Sequence, residues 1–367
     1  MRRLLMSTVL VSAGLLALPA QADMAVTVGG YTGFQAALFD NDLANSSGRD
    51  FQSESEIHVR AKGTADNGLE YGVLIELMTS TSDTANANEA NLYLSGNWGR
   101  LELGDQDGAG SELAELAPFV GIGQVRGSYM DFVPAADRGH APSEAAGDSN
   151  LKAIDTSDAT KLTYFSPRVQ GVQAGISYAP ERDNKSSGED VQFSSNTGNH
   201  ENAYELGLNY KGEFSGVGVK VGGQYTHADA KNGSTLEDIS AWSLGSQLSY
   251  NSFTVGGGYT HNGNSGQTVG TASDNVTGWN AGVTYNAAQW GVGVSYADIS
   301  FDNAATPFGA AGATGSGGDY TAYGFGGIYK VAPGLTAAAD VMFYDRNRVT
   351  GSDTNGHVAM TEVRAAF

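Results

Sequence analysis

Trp290-Gly291-Val292-Gly293-Val294-Ser295-Tyr296 carries two messages in alternate positions. The even positions are apolar or aromatic; the odd positions are glycine or serine. A period of two marks a strand whose two faces meet different surroundings. The same row recurs as Tyr204, Leu206, Leu208 and Tyr210, and as Trp242, Leu244, Leu248 and Tyr250, broken only by Ser246. Aromatics close the rows at both ends, where the two interfaces of a membrane would hold them.

Working outward, sixteen such segments fill the chain. They run from Val26 to Leu38, from Phe51 to Gly63, then over 69–79, 88–97, 99–108, 159–167, 171–180, 203–213, 216–227, 240–250, 252–261, 277–287, 289–298, 319–331, 334–345 and 356–367. The second is the most charged. Phe51, Ile57, Val59 and Ala61 share one face, while Gln52, Glu54, Glu56, His58, Arg60 and Lys62 share the other. An ionised face of that kind fits a wall against water. Arg60 and Lys62 there partly neutralise Glu54 and Glu56. Tyr31, Tyr93 and Tyr344 are the tyrosines not assigned to the outer rows.

The connections alternate in length. Short turns fall at Ala65–Gly68, Asn97–Gly99, Pro167–Gly171, Gly212–Gly216, Tyr250–Phe253, Ala287–Trp290 and Ala332–Gly334. Between them lie polar loops at 40–50, 80–87, 109–158, 181–202, 228–239, 262–276, 299–318 and 346–355. One rim of tight turns and one of long loops is the plan of a barrel in an outer membrane. A sheet in lipid cannot leave open edges. The expected fold is therefore all-β: a 16-stranded antiparallel transmembrane barrel, apolar outside and wet within, around an aqueous lumen. It forms a single domain over 23–367.

Residues 109–158 break the rhythm. The stretch is acidic and carries Pro118, Pro134 and Pro142, which argue against a central strand. A loop this long is commonly functional. The expectation is that this third long loop folds into the tube and narrows it. Ser111-Glu112-Leu113-Ala114-Glu115-Leu116 reads as one or two helical turns with the leucines on the wall. Glu112, Glu115 and then Asp131 are the candidates for carboxylates at the constriction; the alternative for each is a solvated loop charge. Arg60, Lys62, Arg100 and Lys161 are the candidates for the facing basic wall.

Met1-Arg2-Arg3, the apolar run Leu4 to Leu18 and Ala20-Gln21-Ala22 read as a secretory signal over 1–22, cleaved near Ala22. Its loss takes the formal charge from −20 to about −22. The acidic balance argues against a nucleic-acid partner. With no cysteine, disulfides and thiolate metal sites drop out. No cofactor is expected, although loop acids such as Asp40, Asp42 and Asp50 have the chemistry of calcium ligands.

Several stretches carry a family likeness: Val28-Gly29-Gly30-Tyr31, the run from Asn88-Glu89-Ala90-Asn91-Leu92-Tyr93 to Leu103-Gly104, Leu162-Thr163-Tyr164-Phe165-Ser166-Pro167 with Gly171, Gly175-Ile176-Ser177-Tyr178, and Phe367. In these the chain resembles the general porins of Gram-negative bacteria over essentially all of its length after the signal. The resemblance implies a homotrimer with one pore per subunit, an inward third loop, and contact with outer-membrane lipid and lipopolysaccharide. It also implies an assembly signal at Phe367 read by the barrel-assembly machinery. One departure stands out. Similar porins often place Arg directly after the glycine that ends the fifth strand, on the basic wall; here Asp105 follows Gly104, which by that pattern thins the basic side and favours cations.

The expected function is passive diffusion of small hydrophilic solutes and ions through the outer membrane, with weak to moderate cation selectivity, since acidic linings concentrate cations. A solute-selective channel with a binding site in its lumen is the nearest alternative, and a non-conducting adhesin barrel another. An outer-membrane hydrolase is the alternative of another class. His58, His140, His200, His227, His261 and His357 lie mostly in loops or at strand ends. There is no Gly-x-Ser-x-Gly elbow and no His-Glu-x-x-His run.

Overall fold

The computed structural model describes residues 24–41, 48–78, 86–134, 151–182, 185, 200–270, 275–301, 317–349 and 351–367. The expected signal segment and Asp42 lie outside these residues.

Sixteen antiparallel strands close on themselves. They are β1 (Ala25–Asn41), β2 (Arg49–Thr64), β3 (Glu70–Met78), β4 (Asn86–Gly96), β5 (Gly99–Asp105), β6 (Thr160–Phe165), β7 (Val172–Glu181), β8 (His200–Phe214), β9 (Val217–Ala230), β10 (Ile239–Tyr250), β11 (Phe253–Gly263), β12 (Val276–Asn286), β13 (Trp290–Phe301), β14 (Gly318–Ala332), β15 (Leu335–Asn347) and β16 (Thr354–Ala366). Each strand pairs with its neighbours in sequence, and β1 pairs with β16 from Tyr31↔Ala366 to Asn41↔Gly356. All sixteen expected segments are strands. Several run further at the loop end than the alternation suggested, because their ladders continue: β13 extends to Phe301, paired with Gly318. β5 stops at Asp105 rather than at 108, where the chain leaves the wall.

The short turns are tight. Gln170 and Gly171 take φ of 50° and 87°, and Ser215 and Gly216 take 52° and 81°. Two successive left-handed residues fit the right-handed twist of the flanking strands, and glycine holds that conformation without steric cost.

The outer rows point away from the lumen as expected. Tyr204, Leu206, Leu208, Trp242, Leu244, Trp290, Val292 and Val294 are all exposed on the bare chain. Aromatics couple neighbouring strands on this face, Trp279 with Tyr296 at 4.7 Å and Tyr285 with Trp290 at 5.3 Å between ring centroids. An apolar exterior on a closed sheet is stable in lipid.

The expectation of a wholly wet interior is corrected. At the loop ends of β12 to β16, Val276, Ile299, Phe301, Tyr320, Met342, Val358 and Met360 face inward and are buried. They pack on Val125, Tyr129, Met130, Phe132, Val133 and Leu151 from the 109–158 segment. A smaller buried patch joins Ala153, Ile154 and Ala159 to Ala179, Ala203, Ala228, Ile239 and Ala241. One side of the lumen is thus filled by a dry core between loop and wall.

Candidate functional site: a pore constriction

The 109–158 loop enters the barrel after β5. It begins with one helical turn, α1 (Ala109–Leu113), shorter than the two turns the sequence allowed. Leu113 and Leu116 are buried on the wall. Two 3-10 turns follow, Gln124–Arg126 and Ser128–Phe132. α1 lies on β6 to β9, the first 3-10 turn on β13 to β15, and the second on β16. Residues 151–158 return along β11, β9 and β8. There Leu151 O accepts from Thr260 Oγ1 (2.7 Å), Ala153 O from Gln224 Nε2 (3.0 Å), and Glu205 from Thr156 N (2.7 Å).

Two wall carboxylates hold this path. Glu205 of β8, fully buried, accepts from the backbone N–H of Gly110 (3.0 Å), Ser111 (3.2 Å) and Thr156 (2.7 Å). It takes the role of the missing side-chain cap of α1 and satisfies donors the helix itself cannot. Asp340 of β15 accepts from Ile122 N (3.0 Å) and Gln124 N (2.8 Å). Between them, Asn280 Oδ1 accepts from Ala117 N (2.7 Å) and Gln247 Nε2 donates to Leu116 O (2.8 Å).

The inward glycines explain how close the loop lies. A Cβ on Gly207 would strike Ala109 O, on Gly245 Glu115 O, and on Gly282 Pro118 O at 2.5 Å. On Gly293 it would meet Val120 Cγ1 at 2.9 Å. The small inner row of 290–296 is therefore a seat for the loop rather than a bare water-facing wall.

Among the described residues, what the loop leaves open is the inner face of β3 to β5 and the turn-side parts of β16, β1 and β2. This arc is charged. Arg364 pairs with Glu54 (2.6 Å) and Glu362 (3.0 Å) and lies 4.4 Å over the Tyr31 ring. His58 stands 3.0 Å from Glu56, and Arg60 3.7 Å from Glu76. Lys62 pairs with Glu70 at 3.0 Å. Arg100 bonds Glu102 and lies 4.0 Å over Tyr93. Arg60 and Lys62 thus find their partners across the sheet on β3, not among Glu54 and Glu56 of their own strand.

The three loop acids separate. Glu112 is exposed; burial of its surroundings and the nearby Glu102 raise its carboxyl pKa. Asp131 is exposed and accepts from Gln52 Nε2 (3.1 Å), which brings the loop to β2. The Glu115 side chain is only 8 % exposed and sits 3.4 Å from Lys211. Two of the three candidates are thus exposed, and the third is paired with Lys211 of β8. Lys161, expected on the wall, is buried and donates to the Ser157 carbonyl, tying down the returning segment. Asp105 shares the outer face with Leu101 and Leu103 and accepts from Thr160 Oγ1. Its departure from the family pattern therefore leaves the lumen wall untouched. Phe367 N–H donates to Gly30 O (3.0 Å) and its own carbonyl accepts from Gly30 N (3.1 Å), stitching β16 to β1.

Beneath the loop lies a second charged group. Lys152 sits 3.2 Å from Asp155. Burial alone would lower the Lys152 pKa, but Asp155 and Asp107 outweigh it and the net shift is upward. Burial would raise Asp155, but Lys152 and Arg182 draw it down. Asp107, just past β5, is pushed up to about 7 by burial, aided by Asp155 and Glu112 against the pull of Lys152.

Among the described residues, two groups bring three metal-capable side chains together: Glu56, His58 and Glu76, and Glu89, Asp107 and Asp158. Asp40 and Asp50 belong to neither. Sequence reasoning missed Glu205, Asp340, Arg364, Glu362 and Lys211. For Glu205 and Asp340 the available signal was an inward acid between neutral neighbours on its own face, Ala203 and Gly207 for the one, Ala338 and Met342 for the other.

The sequence profile of Gram-negative porin matches residues 7–349. An uncharacterized protein of Rickettsia typhi is 22 % identical over 290 residues, covering 62 % of this chain and 66 % of that protein. One of Rickettsia felis is 24 % identical over 246 residues, covering 51 % and 56 %. The chain thus spans less than two thirds of the length of these curated relatives. Among solved structures, a mutant of Rh. blastica porin superposes with a TM-score of 0.57 at 16 % identity, covering 94 % of this chain and 100 % of that one. A porin structure refined at 1.8 Å gives 0.62 at 17 % identity, with the same coverage.

Proposed function

The chain belongs to the Gram-negative porin family, and from that premise we propose that it forms a water-filled outer-membrane channel for passive diffusion of small hydrophilic solutes and ions, biased towards cations. The observation that carries this reading is the route of the 109–158 loop. It covers the inner wall from β6 to β15 and the loop ends of β16 and β1, and among the described residues it leaves a charged arc from the turn side of β16 to β5 uncovered. That arc offers Glu54, Glu56, Glu70, Glu76, Glu102 and the buried Glu362 against Arg60, Lys62, Arg100 and Arg364, and the loop adds Glu112 and Asp131. A carboxylate excess raises local cation concentration and lowers the entry barrier. The family background supports export through a signal over 1–22, a homotrimer, contact with lipopolysaccharide, and recognition of Phe367 by the assembly machinery. The family and the closed barrel favour a channel over a hydrolase.

The test is the reversal potential of the reconstituted protein in a KCl gradient. A cation-directed potential is expected, and an anion-directed one would overturn the bias. A solute-selective channel gains one observation, the inward Tyr31 and Tyr93 on the open wall. Each ring, however, already has an arginine over one face, Arg364 on Tyr31 and Arg100 on Tyr93. Saturable block of current by one solute class would favour that reading.

A further inference from the structure

On the open arc, β2 and β3 set His58 directly opposite Glu76, with Glu56 two residues along the same face. His58 Nε2 lies 3.0 Å from Glu56 Oε1 and 3.7 Å from Glu76 Oε1, and the ligand atoms of all three lie within 4.8 Å of one another. Two donors bound at about 2.1 Å to one tetrahedral ion stand about 3.4 Å apart, which the two observed separations bracket. Nε2 is closed off from solvent, and no aligned hydrogen bond reaches it. The register of β3 and β4 also places Glu76 directly opposite Glu89. Like charges in opposed positions destabilise a sheet unless a cation or proton intervenes.

We propose that Glu56, His58 and Glu76 form a lumen-facing site for a borderline divalent metal ion of the zinc class. One imidazole nitrogen with two carboxylates suits such ions, whereas calcium and magnesium prefer oxygen alone. The side chains are 15–20 % exposed, so an ion travelling along the lumen meets the edge of the group, and a turn of the His58 ring brings the covered Nε2 to it. Access by that route rests on the channel reading.

Arg60 competes for the site. Its Nη2 is 2.7 Å from His58 Nδ1 and 3.7 Å from Glu76 Oε1. A guanidinium only donates, so Nδ1 accepts and the neutral ring carries its proton on Nε2. Metal binding at Nε2 moves that proton to Nδ1, and Arg60 swings into the lumen, where half of its side chain is already exposed. Arg60 is then the resident counter-ion that the metal displaces.

The experiment is equilibrium dialysis of the folded, detergent-solubilised protein against zinc chloride, with bound zinc counted per chain. His58→Gln and Glu76→Gln are each expected to weaken one site by at least about tenfold, since even outer-shell changes cost that much. Arg60→Gln is expected to tighten it, which keeps the test decisive if a ligand variant fails to fold. Absence of bound zinc in the unaltered protein, undiminished binding in His58→Gln, or weaker binding in Arg60→Gln would each overturn the site. Equal affinity for calcium would overturn its class. Conductance of the same preparation in metal-free KCl separates the two readings: a conducting protein that binds no zinc loses only this site, and an insulating one that binds zinc loses only the channel.

Discussion

The two arcs of the barrel share one outer pattern and differ inside. From β6 to β15 the inner row is glycine, small neutral residues, a few buried anchors and, on β12 to β15, large apolar side chains, and it meets the backbone and side chains of the loop. From the turn side of β16 to β5 it is Glu, Arg, His and Tyr, paired across strands and, among the described residues, open to the lumen. Burial on the covered arc leaves no room for a Cβ, and no tolerance for an unmatched backbone N–H. The open arc keeps its charges because water shares their solvation. The same kind of substitution should therefore act on stability in one arc and on ion traffic in the other.

The largest effect is expected at Glu205. Glu205→Ala leaves the N–H groups of Gly110, Ser111 and Thr156 without their acceptor, at about 1–3 kcal/mol for each buried donor. The loop should leave the wall, seen as protease cleavage within 109–158 and altered single-channel conductance. Glu54→Ala on the open arc should leave cleavage unchanged; equal cleavage in both would erase the contrast. Gly245→Val comes next. Its side chain would collide with Glu115 O, an overpacking cost of about 1–3 kcal/mol. Displacing the loop towards the lumen should reduce conductance, and an unchanged value would mean the glycine seat is not tight.

On the open side the effects are electrostatic. One charge at about 10 Å in water is worth about 0.4 kcal/mol, or about twofold in a permeability ratio. Glu112→Gln and Asp131→Asn should each lower the cation-to-anion ratio by about that factor. Glu115→Gln sharpens the contrast, because it frees Lys211 rather than removing an exposed acid. Equal shifts in all three variants would show that burial does not distinguish these carboxylates.

A smaller effect is expected from pH. The Asp107 carboxyl is raised from 3.8 to about 7, so the folded chain holds a proton that the unfolded chain has released. This group therefore favours the folded loop below pH 4 and loses that contribution as pH rises from about 4 through about 7. Protease resistance of the loop should decline across that window, and Asp107→Asn should flatten the decline. Asp155, Lys152, Glu112 and Asp158 surround the group, so the residual slope in the variant reports on them.

Alternation made the barrel legible because each strand reports only which of two sides a residue takes. It does not report what stands opposite. Leu101-Glu102-Leu103 and Tyr204-Glu205-Leu206 are the same local pattern, an acid between two outward apolar residues. Glu102 bonds Arg100 on the open wall, while Glu205 clamps the loop. The missing rhythm of 109–158 located the loop. Its landing place depended on glycines spread over β8, β10, β12 and β13, contacts too distant in sequence for any local period to show. Lys161 was misplaced for the same reason: an inward lysine looks alike whether it meets water or the carbonyl of Ser157.

Asp105 is where the least should happen. Read by family pattern, it stands on the basic wall, and an acid there thins that wall. Read by register, it pairs with Ala90 and Thr160 and shares their outer side, with Gly104 as the inward neighbour. Its carboxylate is satisfied by Thr160 Oγ1 on that side. A charge there is separated from the lumen by the sheet itself. Asp105→Asn should leave the reversal potential unchanged, where Asp131→Asn shifts it. A shift as large at Asp105 would mean that the turn at Gly104, with φ of 134°, rotates the strand end inward in the working channel. The assignment of faces at the mouth of the loop would then have to be reversed.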